Sequence, residues 1–273
     1  MPNKVLHIIN NILHAAARNS VVKLPVAVIL GCSVCCGSAM MSCSRHNSTD
    51  GDAQSDGINV PRDPLAPYHG IDVSSHQKEI NWSEVSADSN IKFVYIKATE
   101  GSTYISPHYN NNVQEAHRNG ILVGSYHFLR STSSIQAQYR NFVKAASIAN
   151  QDLIPMIDVE KRGSWSRKQL IDSLQLLASL LEQHFGVRPM IYSTMSFYNR
   201  NLSPYFNDYP LYIGRYSEKT PEITWNGRYT IWQYTETGKV NGISTKVDLC
   251  RFNDNSWLPD IALHKKKTKD INQ

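Results

Sequence analysis

Four carboxylates stand where the sequence pattern places the ends of strands: Asp72, Asp158, Glu160 and Asp248. Asp158 and Glu160 are two residues apart, so on an extended backbone both side chains lean to one face, ~6.5–7 Å apart along the chain. Asp72 lies near the end of the apolar run 69–73, and Asp248 interrupts the stretch Val247-Asp248-Leu249. Any one of them alone could be a helix cap or a surface acid. Together they describe an acidic active site. Grouped carboxyls suit acid–base chemistry, because like charge holds a proton on one group while another stays ionised.

The elements that must position these acids alternate along the chain. Short runs rich in β-branched and aromatic residues predict strands at 69–73, 92–97, 121–128, 153–158 and 189–193. Segments 81–88, 107–119, 134–149 and 166–185 between them have helical character. Ser106-Pro107 predicts an N-cap followed by proline in the first helical position, with Gly120 closing that helix. In 166–185, Leu170, Leu174, Leu177, Leu181 and Phe185 recur at spacings of three and four, and Gly186 lies just beyond. Strand–helix–strand repetition predicts a parallel sheet with crossover helices. After residue 205 the helices give out, and 210–216, 228–234 and 246–252 follow as strands. The expected fold is α/β: one barrel, with regular βα units first and mainly strands in the last third. In such barrels the chemistry sits at the C-terminal strand ends, where the acids fall.

Aromatic residues follow the same positions. Tyr126 and Phe128 end the third run, Tyr192 the fifth, and Trp232 and Tyr234 the seventh. Aromatic faces at the mouth of an acid-lined cleft suit sugar rings, which offer CH faces to stack on and hydroxyls to bind. The competing reading is that these rings fill the barrel interior.

The 273 residues carry a formal net charge of +5, with 41% hydrophobic and 19% charged side chains. Residues 1–43 hold Lys4, Arg18 and Lys23 and no acid, so the rest carries 5 − 3 = +2. That bias is too weak for nucleic acid, and no basic stripe interleaves with aromatics. Four of the five cysteines fall in the first 43 residues, leaving Cys250 without a disulfide partner in the body, and no Cys/His cluster there would hold zinc. The apolar run 24–42, behind Lys23, has the form of an export signal, with a membrane span as the rival. Met41-Ser42-Cys43-Ser44 resembles the lipidation site of bacterial lipoproteins, with Cys43 as the acceptor and Cys32 a second candidate. Residues 44–66 have the composition of a flexible tether. The folded unit is expected over 67–259, with 260–273 a charged tail.

The motifs themselves resemble a known family. Tyr68-His69-Gly70-Ile71-Asp72-Val73-Ser74-Ser75-His76-Gln77 and Phe93-Val94-Tyr95-Ile96-Lys97-Ala98-Thr99-Glu100-Gly101 resemble the opening of the glycoside hydrolase family 25 lysozymes. The likeness continues through Gly124–Phe128, Pro155–Glu160, Ile191–Ser193 and Ile231–Tyr234 and closes at Val247-Asp248-Leu249. Lys78 and Ser106 depart from that family's usual pattern, outside the carboxylate set. The resemblance implies a flattened, irregular eight-stranded TIM-like barrel with fewer helices than a regular one. It implies hydrolysis of the β-1,4 bond between N-acetylmuramic acid and N-acetylglucosamine in peptidoglycan, with no metal or organic cofactor. Asp72, Asp158, Glu160 and Asp248 correspond to its acids, with Glu160 as the general acid. Like charge from Asp158 is expected to raise the Glu160 pKa. Tyr95, Lys97, Glu100, Tyr126, Phe128, Tyr192, Trp232 and Tyr234 are the expected substrate-binding residues. A family 18 chitinase is disfavoured because Met156 stands where that family has an acid. The alternative is a peptidoglycan-binding lipoprotein without catalysis. The expected partners are glycan strands and, through the lipid, a membrane; the expected site of action is the cell envelope, for a monomer.

Overall fold

The computed structural model describes residues 58–264, so the leader, Cys43, the first part of the tether and the end of the tail lie outside the described residues. Eight strands form a closed ring: β1 (Gly70–Val73), β2 (Phe93–Glu100), β4 (Leu122–Phe128), β5 (Met156–Asp158), β6 (Met190–Thr194), β7 (Leu211–Gly214), β8 (Ile231–Gly238) and β9 (Val247–Phe252). The short β3 (Tyr104–Ile105) pairs with the end of β2 outside the ring. Parallel pairing runs from β1 through β2 and β4 to β8; β9 then closes the ring antiparallel to both β8 and β1.

Strand alternation divides the core into two layers. On β2, Phe93 and Tyr95 point into the barrel among Met156, Met190, Tyr212 and Phe252, while Val94, Ile96 and Ala98 pack outward under the helices. Glycine makes room for these inward rings. A Cβ at Gly124 would lie 2.4 Å from the Tyr95 ring, and one at Gly70 2.6 Å from Phe93.

Among the described residues five α-helices lie between strands: α1 (Trp82–Ser86), α2 (Tyr109–Arg118), α3 (Ile135–Ala145), α4 (Arg167–Phe185) and α5 (Met195–Asn201). The longest, α4, follows its sequence signals. Ser166 and Gln169 form a reciprocal capping box, the leucine stripe is buried, and Gly186 ends the helix at φ +72°.

Several expected boundaries shift. Helix α2 starts at Tyr109 with His108 at its N-cap, so Ser106-Pro107 is not the cap; the Ser106 carbonyl accepts the Tyr109 N–H at 3.2 Å and the Ser106 hydroxyl makes no cap. The predicted strand 153–158 shortens to β5, because Pro155 lacks an N–H and the Ile154 N–H donates to Ile261 O instead. Helix α5 has no counterpart in the sequence reading.

The folded unit is also longer than 67–259. Ile58 and Val60 pack against the interior cluster, and Arg62 Nη1 donates to the carbonyls of Asp254 and Ser256 while its guanidinium lies over Trp257. Ile261, Ala262 and Leu263 are buried, with the Leu263 N–H on Asp152 O at 2.8 Å. The end of the expected tether and the start of the expected tail therefore close the barrel floor. Two apolar residues sufficed where composition alone pointed to a linker.

Candidate active site

The inward parity that buries Phe93 and Tyr95 delivers polar residues higher on the same strands. Asp72 on β1 lies directly across from Asp248 on β9. Both are largely removed from water, and their carboxyls share a hydrogen bond. Asp72 Oδ2 also accepts from Tyr212 Oη at 2.7 Å and from Gln233 Nε2 at 2.9 Å. Gln233 is held in turn, its Oε1 accepting from Tyr192 Oη at 2.7 Å and Tyr216 Oη at 2.9 Å. This amide ties β1, β6 and β8 to the loop after β7.

Asp158 ends β5, level with Phe128 on β4 and Tyr192 on β6. The extended course continues past the strand. The Val159 N–H donates to Tyr192 O at 3.0 Å, and Ser193 Oγ donates to Val159 O at 2.7 Å. Glu160 thus stays on the Asp158 side of the backbone, and the two side chains share a hydrogen bond. Asp158 Oδ1 is buried without a hydrogen-bond partner in the protein. All four acids line one cavity of about 280 Å³, together with Lys97, Tyr126, Phe128, Tyr192, Tyr216 and Glu236.

Burial acts on every carboxyl in this cavity. It pushes Asp158 well above the usual carboxylate range, reinforced by the charge of Glu160 and opposed by Lys97. It raises Glu160 too, whereas the hydrogen bond with Asp158 and the charges of Lys161 and Lys97 pull Glu160 down. Burial, rather than the expected like charge, is the leading cause for Glu160. Asp248 is pushed up to about 9 by burial and then by Asp72. Asp72 is raised by burial as well, but three hydrogen bonds to its carboxylate resist the rise. Their shared hydrogen bond lowers Asp72 and raises Asp248, and so favours the proton on Asp248. The cavity holds protons at neutral pH and can donate them.

Of the expected binding residues, Lys97, Tyr126, Phe128 and Tyr192 line the cavity. Glu100 lines an adjoining groove instead. Three do not reach the site. Tyr95 is fully buried beneath it, its hydroxyl donating to Ile154 O at 3.1 Å. Trp232 faces out of the barrel, because Ile231 and Gln233 take the inward positions on β8. Its Nε1 donates to Arg215 O, and the Arg251 guanidinium stacks 4.3 Å from its ring. Tyr234 packs edge-on against Trp232, also beside Arg251. The sequence reading missed Gln233, Tyr212, Tyr216, His76 and Glu236. Gln233 was within reach of it: the residue between Trp232 and Tyr234 points to the opposite face, so the parity was readable once one inward neighbour was known.

An eight-stranded barrel whose strand ends converge on paired carboxyls and aromatic rings is the architecture of a carbohydrate-cleaving enzyme. Residues 71–243 match the model for glycosyl hydrolases family 25, and the chain belongs to that family. It is 36% identical to the Escherichia coli protein YegX over 192 residues, covering 68% of this chain and 69% of YegX. It is 33% identical over 185 residues to the autolytic lysozyme of Clostridium acetobutylicum, covering 68% of this chain and 56% of that one. Among solved structures it resembles the lysozyme of Streptomyces coelicolor, with a TM-score of 0.62 at 31% identity over 67% of this chain and 91% of that one.

Proposed function

We propose that this glycoside hydrolase is a lysozyme that cleaves the β-1,4 bond between N-acetylmuramic acid and N-acetylglucosamine in peptidoglycan. The observation that carries the reading is the Asp158–Glu160 pair, hydrogen-bonded and proton-holding, within a cavity that also gathers Asp72 and Asp248. Membership of a family whose matched relatives include lysozymes supports the substrate. Glycoside cleavage needs a protonated carboxyl at the leaving oxygen and negative charge near the sugar carbon as it becomes oxocarbenium-like. Their hydrogen bond raises Asp158 and lowers Glu160, so the resting proton lies toward Asp158; Glu160, the less buried of the pair, takes it over and delivers it to the leaving oxygen. Asp158 supplies the charge, and its unpartnered Oδ1 is an acceptor suited to an N-acetyl N–H of the sugar. Asp72 and Asp248 form the electrostatic floor, with the orientation of Asp72 fixed by Tyr212 and Gln233. Tyr126, Phe128 and Tyr192 offer ring faces to the sugars.

A purified chain should clear cell-wall substrate in a zymogram, and its Glu160→Gln variant should not. A wild type that binds wall without clearing it would point instead to the non-catalytic binding protein.

The address is part of the same proposal. Export, with lipid attached at Cys43, would hold a monomeric barrel at a membrane, and the polar residues that follow would let it reach the wall. Cys43→Ala should then leave an unprocessed precursor and abolish incorporation of labelled fatty acid. Mature protein of unchanged size from that variant, with no label entering the wild type, would leave an ordinary secreted enzyme.

A further inference from the structure

Beside the catalytic cavity lies a second groove of about 660 Å³, and His76 and Lys97 line both. The two spaces differ sharply in charge. The cavity walls carry five acids, Asp72, Asp158, Glu160, Glu236 and Asp248, against one lysine, Lys97. The groove walls carry Lys97 and Arg130 against Glu100.

That trio is a built arrangement. Glu100 Oε2 accepts from Lys97 Nζ at 2.6 Å, while Glu100 Oε1 accepts from Arg130 Nε at 2.7 Å and Nη2 at 2.5 Å. Both cations also lie over the Phe128 ring, with Lys97 Nζ 4.9 Å and Arg130 Cζ 5.1 Å from its centre. One carboxylate bridging two cations leaves a net positive charge. The Arg130 side chain is 44% exposed, and its third nitrogen, Nη1, is not used in holding Glu100. The rest of the groove is pinned as well: Tyr104 Oη and Ser75 Oγ are 3.1 Å apart, and Asn141 Nδ2 donates to the carbonyls of Gly101 and Tyr104.

The lysozyme reading, on which this inference rests, gives the substrate a carboxylate. Muramic acid carries a lactyl group that ends in a free carboxylate or continues into a carboxylate-bearing peptide. Such an anion finds carboxyls and a single lysine in the cavity, and is attracted to the paired cations of the groove. We infer that the groove beside the catalytic cavity binds the carboxylate-bearing substituent of muramic acid, with Arg130 as its anion-binding residue. The groove then sets which way round a glycan strand lies in the cleft.

The experiment measures kcat/KM on three substrates: intact wall, the same wall with its carboxyls amidated, and peptide-stripped glycan strands bearing only the lactyl carboxylate. Wild type should prefer the charged substrates. Arg130→Gln should cut the ratio of charged to amidated wall about five- to tenfold, mainly through KM, as expected for one partly exposed charge-assisted contact. Arg130→Lys should restore most of that ratio, which a purely structural role would not predict. If the dependence persists on peptide-stripped strands, the lactyl carboxylate is the ligand; if it appears only on intact wall, the peptide is. A ratio unmoved by Arg130→Gln, or a wild type indifferent to amidation, overturns the inference while leaving the lysozyme reading intact. Failure of wild type to cleave any of the three overturns the reading beneath it.

Discussion

Two clusters of ionisable groups adjoin at the barrel mouth, and burial pushes the carboxyls of both toward neutrality. In the cavity it prevails, and Asp158, Glu160 and Asp248 rise. In the groove it raises Glu100 too, yet Lys97 and Arg130 more than offset it and the Glu100 pKa falls. The difference is a matter of partners. A carboxyl facing other carboxyls keeps its proton and can act as an acid; a carboxyl bridging two cations stays charged and serves as a brace. Lys97 stands between the two, pairing with Glu100 while pulling down Asp158 and Glu160.

The comparison is broken most directly by removing the transferable proton. Glu160→Gln should lower turnover ~10²–10⁴-fold with the thermal transition preserved, measured as release of reducing ends from wall. Asp158→Asn should also cripple turnover, by removing charge beside the developing cation. It also relieves the repulsion that delays loss of the pair's last proton. The basic limb of the residual pH–rate profile should therefore move to lower pH. A basic limb that stays in place would mean that the two acids titrate independently.

How much of this was legible in the sequence differs between the same two clusters. The four acids could be read because each stands at or just past a strand end, and the i, i+2 spacing of Asp158 and Glu160 survives in the extended backbone through Val159. Helix α4 was equally plain, since its capping box and leucine stripe are local signals. The brace was less visible: Lys97 and Glu100 lie close in sequence, but Arg130 comes from the loop after β4. The inward parity of Gln233 was readable, but the bonds of Gln233 and Tyr212 to Asp72 were not, since Asp72 is 161 and 140 residues away. Trp232 and Tyr234 were misjudged because residue type carried the argument where strand parity decides.

Smaller effects sharpen the contrast. Asp248 has a native pKa of about 9, above its unfolded value near 4. Its contribution to stability is full below pH ~4 and is lost as pH rises toward 9, because the native state binds the extra proton across that window. Asp248→Asn should therefore raise the melting temperature above pH 7 by about 2–4 °C, with little gain near pH 4, while lowering activity. A melting temperature that falls equally at both pH values would show that Asp248 packs the site rather than straining it. The smallest effect is expected at Tyr234, whose ring lies outside the cavity against Trp232 and Arg251. Tyr234→Phe should leave KM for wall within about twofold, as for a surface change away from the site. A large rise in KM would return Tyr234 to the substrate path.

The proton-holding Asp158–Glu160 pair should cut on the muramic acid side of the glycan link. Mass spectrometry of fragments from purified wall, reduced with borohydride after digestion, reads that bond directly. Wild type should give fragments ending in reduced N-acetylmuramic acid, and Glu160→Gln none. Fragments ending in reduced N-acetylglucosamine, or muramic acid ends released equally by the variant, would contradict that role for the pair.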